Sequence, residues 1–308
     1  MRSQFTDSSI PDQRGRTVVV TGGNSGIGFE AAVAFAKRGA SAILACRDPK
    51  RAEGALAELA RRVPGASARA LRLDLADLGS VRDFAAELGA TTERLDLLVN
   101  NAGIMGLPKS ATKDGFESHL GTNHFGHFAL TMRLLPLLER AETPRVVTVS
   151  SMTHTSGSID FDDIDRDRSY SASAAYTGSK LANLLFALEL ERRLRRSGAR
   201  ALSVACHPGW AGTQITKSTP LARRAKWVAG VLEWGNAFVG QPAHMGAWPT
   251  LYSAVMPIEG GAYVGPSALF GTRGHPAVQT PSRTARDEKA AKRLWAISEE
   301  RTGLRFPG

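Results

Sequence analysis

A tyrosine and a lysine four residues apart, Tyr176 and Lys180, are the side chains of this 308-residue chain best suited to move a proton. They precede an apolar run over residues 181–190, whose length and leucine content predict a helix. On a helix, positions i and i+4 lie on one face, so the phenol and the ammonium would serve one site. A free tyrosine titrates near pH ~10, and a nearby cation lowers that value because it favours the phenolate. The pair predicts a proton donor and acceptor, but the same spacing arises by chance on many helices.

A glycine-rich turn near the start of the chain predicts a phosphate site. Residues 17–21 are apolar and β-branched, as in a buried strand, and residues 29–38 have a helical pattern that ends at Gly39. Four glycines lie between them, at positions 22, 23, 26 and 28. Free backbone N–H groups and the helix dipole attract phosphate there, and glycine lets the backbone approach a pyrophosphate closely. Strand, turn and helix together indicate dinucleotide binding.

The next strand, residues 42–46, ends in Arg47 and Asp48. In dinucleotide-binding folds the residue at this point meets the adenosine ribose: a carboxylate suits a free 2′-hydroxyl, and an arginine suits a 2′-phosphate. Arg47, followed by Lys50 and Arg51, favours NADP(H) over NAD(H). Asp48 either competes for this role or caps the following helix.

Strand-like and helix-like segments alternate through the chain without a change in composition. This pattern predicts a single α/β domain over residues 1–308, with a Rossmann-type doubly wound parallel sheet and a core of about residues 15–265. In such sheets ligands bind beyond the carboxyl ends of the strands, where each distinctive motif of this chain also lies. We predict further strands at 68–73, 95–99, 145–149 and 201–205, and helices at 49–62, 80–88 and about 116–140.

The order of the motifs resembles the short-chain dehydrogenase/reductase family. The matching motifs are Thr21-Gly-Gly-Asn-Ser-Gly-Ile-Gly28, Asp74-Leu75, Asn100-Asn-Ala-Gly103, Ser151, Tyr176-x-x-x-Lys180 and Pro208-Gly209. A closer likeness, to the retinol dehydrogenase and protochlorophyllide reductase-like branch, rests on Ala45-Cys-Arg-Asp48, residues 119–127, Asp160-Phe-Asp-Asp163 and Ser179-Lys-Leu-Ala-Asn183.

This resemblance implies a role for each matching residue. Tyr176 would be the catalytic acid/base, Lys180 would lower its pKa and hold the nicotinamide ribose, Ser151 would bind the substrate oxygen, and Asn123 would hold a water that links Lys180 to solvent. The positions implied in cofactor binding are Gly22, Asn24, Ser25, Ile27, Gly28, Arg47, Asp74, Leu75, Asn101, Ala102, Gly103, Tyr176, Lys180, Pro208 and Thr213.

The function implied is an NADP(H)-dependent oxidoreductase that interconverts a carbonyl and an alcohol on an apolar substrate by hydride transfer. An alkoxide formed or consumed in that reaction must exchange a proton with a positioned group, which suits Tyr176. Two alternatives stay open: a catalytically silent protein of the same fold that senses NAD(P), and light-driven reduction of a tetrapyrrole, which rests on the branch likeness alone.

The composition is typical of a soluble globular protein, and we expect a cytoplasmic location. A net charge of +10 is compatible with an anionic ligand or surface, but no zinc-finger spacing or Lys/Arg-aromatic alternation indicates nucleic acid. Cys46 and Cys206 lie in apolar runs and are expected to be buried free thiols, with a disulfide as the alternative. Residues 1–10 lack the apolar core of a signal peptide or anchor, and no run reaches the roughly 18 apolar residues of a transmembrane helix.

Three histidines, His119, His124 and His127, raise the question of a metal site. No complete ligand set is apparent around them, so we expect core or helix-surface histidines and no bound metal.

Two C-terminal segments are less informative. Residues 210–255 are predicted to be a helical substrate-covering segment, because Trp210, Trp227, Trp234, Phe238 and Trp248 suit an apolar substrate. These rings would equally suit packing against the body or a contact between copies of the chain. Together with Arg223, Arg224 and Lys226 they also allow peripheral contact with a membrane, which is the less favoured alternative. The tail, residues 281–308, contains a charged helical pattern from about 284 to 301 and no catalytic signature.

Overall fold

An eight-stranded sheet runs through the protein, which a computed structural model describes over residues 4–210 and 241–307. The spatial order is β3-β2-β1-β4-β5-β6-β7-β8, and the pairings are parallel except that β8 is antiparallel to β7. The order reverses between β1 and β4, the place where such sheets open a ligand crevice. The strands are β1 Thr17–Thr21, β2 Ser41–Cys46, β3 Ala68–Arg72, β4 Leu97–Asn100, β5 Arg145–Val149, β6 Leu202–Cys206, β7 Tyr263–Ala268 and β8 Arg273–Gln279.

Helices cover both faces of this sheet, so its central strands β1, β4, β5 and β6 are buried and largely apolar. One core joins the sheet to α1, α2 and α7, and another joins it to α3, α5 and α6. Helix α8 packs on the outer side of α6. The helices of the described ranges are α1 Gly26–Lys37, α2 Pro49–Arg62, α3 Leu78–Thr91, α4 Ser118–Leu120, α5 Gly126–Leu138, α6 Ala172–Ser197, α7 Ala243–Val255 and α8 Glu288–Thr302.

Local sequence explains where the long helix α6 begins and ends. Ser171 caps its N-terminus, since the hydroxyl accepts the Ala174 N–H. Gly198, at φ 70°, ends it in the left-handed conformation that glycine adopts without strain. Its apolar residues face the sheet, and this packing holds Tyr176 and Lys180 at the carboxyl edge.

A π-helical turn, Gly121–Phe125, separates α4 from α5. The Gly126 N–H bonds to the carbonyl of Gly121, and a Cβ at Gly126 would stand 2.9 Å from that of Leu75. The prediction of one regular helix over 116–140 is therefore wrong in detail, because the backbone bulges where it packs against Leu75. Such turns are frequent at functional sites, and this one carries Asn123.

The predicted fold class is confirmed as a Rossmann-like α/β sheet in a single domain. Cys46 and Cys206 are buried free thiols, as expected. The β7–β8 hairpin was not predicted. Trp248, expected in the substrate cover, is instead buried in α7, where its ring stacks on His275. The predicted cover over residues 211–240 lies outside the described residues.

Among the helices described over residues 4–210 and 241–307, none is both long enough and apolar enough to span a bilayer.

Candidate active site

A cavity of about 420 Å³ opens at the carboxyl ends of β1, β4, β5 and β6. It contains most of the predicted site residues and lies at the reversal of strand order, where the fold predicts it. Its lining is Gly22, Asn24, Ser25, Gly26, Ile27, Gly28, Asn101, Ala102, Gly103, Ile104, Met105, Val149, Ser150, Ser151, Met152, Thr153, Tyr176, Lys180, Pro208, Gly209 and Trp210.

The glycine-rich turn after β1 forms one wall of the cavity. Gly22 and Gly26 have φ angles of 65° and 55°, a conformation that side-chain-bearing residues rarely adopt. A Cβ at Gly28 would stand 2.6 Å from the carbonyl oxygen of Gly22 and would also collide with Asn101 Nδ2. Helix α1 begins at Gly26, so the first-turn N–H groups, which have no partner within the helix, lie at the cavity wall. We call this turn, residues 22–28, the glycine cradle. It fits a pyrophosphate.

Ser151 and Tyr176 meet across the cavity from that cradle. Ser151 follows β5, and its Oγ accepts hydrogen bonds from Thr153 N–H at 3.2 Å and Thr153 Oγ1 at 3.0 Å. Burial raises the pKa of the Tyr176 phenol, and a hydrogen bond with Ser151 offsets part of that rise. Lys180 Nζ lies over the Tyr176 ring, 6.0 Å from the ring centroid, and its predicted lowering of the Tyr176 pKa stays a prediction.

Lys180 is almost fully buried at the floor of the site. Its Nζ donates to the carbonyl of Val149 at 3.2 Å, and Asn183 Nδ2 donates to the same oxygen at 3.1 Å. Burial lowers the pKa of Lys180 from 10.5 to about 8. The protein therefore holds a cation in an environment that disfavours the charge.

Asn123 lies behind the cavity wall with both amide hydrogens bonded. Nδ2 donates to the Ile104 carbonyl and to Ser179 Oγ, and Oδ1 accepts the Ile104 N–H. Oδ1 and Lys180 Nζ would each lie 3.3 Å from a Cβ at Gly103, so both groups border this glycine. The role of Asn123 in holding a water stays a prediction.

Arg47 and Asp48 lie just beyond β2, and both are exposed. The Asp48 carboxylate accepts the N–H groups of Lys50 at 3.0 Å and Arg51 at 3.3 Å, so it caps α2. This confirms the capping alternative for Asp48 and leaves Arg47 as the charged residue at the strand end.

Four predicted site residues do not line the cavity: Arg47, Asp74, Leu75 and Asn123. The Asp74 Oδ1 accepts the Ala76 N–H at 3.0 Å, and Leu75 is buried in the apolar core. Thr213 lies outside the described residues.

Sequence reasoning missed several apolar residues that line the cavity, chiefly Ile104, Met105 and Met152. The signal was present, because each directly follows a motif at the end of β4 or β5.

The three histidines are core residues. His119 Nδ1 is 2.9 Å from the Glu117 carboxylate, and His124 Nε2 is 2.8 Å from Ser298 Oγ. Burial lowers the pKa of His124 to about 3 and that of His127 to about 4. In the described part of the chain, no group of three or more His, Cys, Asp or Glu residues could hold a metal ion.

Known proteins resemble this chain over its whole length. The model of the short chain dehydrogenase family matches residues 16–224. Homo sapiens retinol dehydrogenase 13 is 40% identical over 313 residues, covering 100% of this chain and 91% of that protein. Mus musculus polyprenol dehydrogenase is 39% identical over 319 residues, covering 100% of this chain and 88% of that protein.

Solved structures show the same fold. A crystal structure of an uncharacterized protein from Mycobacterium Paratuberculosis has a TM-score of 0.82 and 42% identity, covering 99% of this chain and 100% of the other. The RhlG/NADP active-site complex from Pseudomonas aeruginosa has a TM-score of 0.63 and 25% identity, covering 82% of this chain and 94% of the other.

Proposed function

We propose a specific reaction for this chain, which belongs to the short-chain dehydrogenase family and is an NAD(P)-dependent oxidoreductase acting on CH–OH donors. In this reaction NADP(H) is the cofactor, an apolar alcohol and its carbonyl are the substrate pair, and Tyr176 is the acid/base. The observation that carries the proposal is that one cavity is lined by Ser151, Tyr176, Lys180 and the glycine cradle.

The cofactor, when bound, supplies a hydride to the carbonyl carbon or accepts one from the alcohol carbon. In reduction the Ser151 hydroxyl donates a hydrogen bond to the substrate oxygen. As negative charge develops on that oxygen, the Tyr176 O–H bond breaks and the proton forms the O–H bond of the alcohol. In oxidation the Tyr176 phenolate takes the proton back.

Lys180 stabilises the charge that remains on Tyr176. Its ammonium is held by Val149 and shielded from water, so its field on the phenolate is stronger than it would be at the surface. The hydrogen bond with Ser151 opposes the effect of burial, which by itself favours the neutral phenol.

Preference for NADP(H) is supported by Arg47. A guanidinium at the end of β2 suits a 2′-phosphate, and the neighbouring carboxylate of Asp48 is occupied in capping α2. The structure of the RhlG/NADP complex, which shares the fold, is compatible with this preference.

An apolar substrate is supported by the lining next to Ser151 and Tyr176, which includes Ile104, Met105 and Met152. Two relatives over the full chain are named for the alcohols retinol and polyprenol. We infer an alcohol of this apolar kind without assigning either one.

The decisive experiment for the reaction is a panel of apolar alcohols, aldehydes and ketones, run with NADPH and NADH in parallel. We expect turnover at the nicotinamide absorbance band, faster with NADP(H). Binding of either cofactor with no turnover across the panel would favour the sensing protein instead.

Arg47→Asp tests the cofactor preference. Loss of a charge-assisted contact should raise the Kd of NADPH about 10- to 100-fold and change that of NADH little. Arg61→Asp, at the far end of α2, is the matched control and should change neither. Equal weakening of both cofactors by Arg47→Asp would show that Arg47 does not contact the 2′-phosphate.

A further inference from the structure

We propose that His127 is a positioning residue that couples the cofactor cradle to the helix bearing Tyr176. The proposal rests on the proposed function, since it assigns a consequence for cofactor binding and turnover. It arises from a continuous set of hydrogen bonds through the interior, in which His127 joins the Thr21 hydroxyl to the Asn123 backbone.

On the cradle side, His127 contacts Thr21, the last residue of β1. His127 Nε2 lies 2.9 Å from Thr21 Oγ1, and that oxygen accepts the N–H groups of Asn101 and Ala102, each at 2.9 Å. Asn101 and Ala102 both line the cavity. The Thr21 hydroxyl therefore holds the loop that packs against the glycine turn.

On the other side, His127 contacts the π-helical turn. His127 Nδ1 lies 2.9 Å from the main-chain carbonyl oxygen of Asn123. The Asn123 side chain in turn donates to Ser179 Oγ at 2.8 Å, and Ser179 Oγ donates to the Tyr176 carbonyl at 2.8 Å. Ser179 lies between Tyr176 and Lys180 on α6, so this branch ends in the helix that carries both.

Which atom donates in each of the two His127 hydrogen bonds follows from the chemistry of its partners, the Asn123 carbonyl and the Thr21 hydroxyl. A carbonyl only accepts, so His127 Nδ1 carries the hydrogen that bonds to Asn123, and Nε2 of the neutral ring is left as an acceptor. The Thr21 hydroxyl therefore donates its single hydrogen to His127 Nε2, at 2.9 Å. The other acceptor within reach, the Val99 carbonyl, is farther away at 3.3 Å. Because its hydrogen is donated to His127, the Thr21 oxygen can accept the N–H groups of Asn101 and Ala102.

Burial makes this arrangement costly to break. Thr21, Asn123 and Ser179 are 0% exposed and His127 is 1% exposed, so water cannot replace a lost partner. Burial also lowers the pKa of His127 to about 4, which keeps the ring neutral and its Nε2 an acceptor near neutral pH. His127 thus fixes the orientation of the Thr21 hydroxyl and the position of the Asn123 backbone at once.

Three substitutions separate the two contacts. His127→Leu removes both; His127→Asn retains a donor near Nδ1 for the Asn123 carbonyl; His127→Gln retains an acceptor near Nε2 for Thr21. His124→Phe is the matched control, because His124 is equally buried in the adjoining π-helical turn but bonds to Ser298 in α8, away from the cradle.

The readouts are the Kd of NADPH by fluorescence, kcat on a substrate from the panel, and Tm for every variant. We expect His127→Leu to raise Kd and lower kcat, each about tenfold. His127→Asn should recover kcat but not Kd, and His127→Gln should recover Kd but not kcat. His124→Phe should lower Tm while leaving Kd and kcat within about threefold of wild type.

The proposal is overturned if His127→Leu and His124→Phe change Kd and kcat equally, or if the Asn and Gln variants recover both parameters alike. If His127→Leu does not fold, the opposite behaviour of the Asn and Gln variants still decides. Failure of the proposed function would look different from failure of this proposal. In that case the wild-type protein itself would bind no nicotinamide cofactor, or would bind one and turn over no substrate.

Discussion

The proposed active site and a second cluster, in the loop after β4, each place a tyrosine beside other ionisable or hydroxyl groups, and of the two only the first lines the 420 Å³ cavity. The catalytic cluster is Ser151, Tyr176 and Lys180; the loop cluster is Glu117, His119 and Tyr170. By residue type the loop cluster is the more suggestive, because a carboxylate, an imidazole and a phenol are all common acid/base groups.

In the loop cluster every polar group is occupied by the protein itself. The Glu117 carboxylate accepts the N–H groups of His119 and Leu120 as well as His119 Nδ1–H, and His119 Nε2 accepts the Leu107 N–H. The Tyr170 hydroxyl donates to the Leu107 carbonyl at 2.9 Å. Burial raises the pKa of Tyr170 to about 12, and Glu117 adds to this effect. The cluster holds the loop between β4 and α4 in place.

The catalytic cluster instead lies against open space. Ser151, Tyr176 and Lys180 all line the 420 Å³ cavity, and Lys180 is bonded through a single carbonyl although it can donate three hydrogens. The comparison shows that residue types alone do not identify a reactive site. What distinguishes it is hydrogen-bond donors at a cavity that the protein itself does not fully use.

The largest expected effect is that of Lys180→Met. Because burial lowers the pKa of Lys180 from 10.5 to about 8, the unfolded chain binds the proton more tightly, and the charged form destabilises the fold by roughly 3 kcal/mol below pH 8. The variant should lose activity about thousandfold and yet gain roughly 2–3 kcal/mol in free energy of unfolding at pH 7. Asn183 still satisfies the Val149 carbonyl.

Urea unfolding and turnover on the same preparations check this result. Lys109→Met, at an exposed lysine paired with Asp167, is the control and should change stability by less than about 0.5 kcal/mol. A destabilised Lys180→Met protein would contradict the cost assigned to the buried charge.

Glu117→Gln should have the opposite effects to Lys180→Met: it should lower the free energy of unfolding and leave turnover nearly unchanged. Burial by itself would raise the pKa of Glu117, but the hydrogen bonds from His119 and the backbone hold it below its usual value, so the carboxylate stabilises the fold near neutral pH. A glutamine places an N–H₂ group against a donor, and we expect a loss of roughly 2–3 kcal/mol with turnover within a few-fold of wild type. Thermal unfolding and kcat measure the two effects; a large loss of kcat at unchanged Tm would move Glu117 into the catalytic cluster.

The pH dependence of carbonyl reduction should be the mildest effect. Tyr176 stays protonated through neutrality because burial raises its pKa, whereas Lys180 loses its charge as the pH passes about 8. We therefore expect kcat/KM for reduction to be flat below pH 8 and to fall above it, and oxidation to rise with pH because it needs the phenolate. In Lys180→Arg the fall near pH 8 should disappear. A rate of reduction that rises through pH 8 in the wild type would contradict this assignment.

Much of the cavity lining was predictable from sequence because several of its parts follow strands directly. Ser151 and the Asn101 to Gly103 motif each follow an apolar run, and parallel strands bring their carboxyl ends to one edge. The loop cluster was not predictable, since Glu117 and Tyr170 are far apart in the chain and meet through tertiary packing.

Two features that the sequence did not reveal have the same physical origin. The β7–β8 hairpin contains Gly265, Pro266, Gly274 and Pro276, residues typical of loops, and only pairing at the sheet edge makes them strands. The raised pKa of Tyr176 is likewise invisible to helix spacing, because the burial that raises it comes from segments distant in the chain.

The central claim, that Tyr176 supplies the proton, is tested most directly by single-turnover kinetics of Tyr176→Phe with NADPH saturating. The chemical step, followed at the nicotinamide band, should slow about a thousandfold while the Kd of NADPH stays within about threefold of wild type. Tyr170→Phe, the same change in the loop cluster, should keep the wild-type rate within a few-fold and lower Tm instead. If Tyr176→Phe transfers hydride at the wild-type rate, or if the two variants slow the step equally, Tyr176 is not the acid/base.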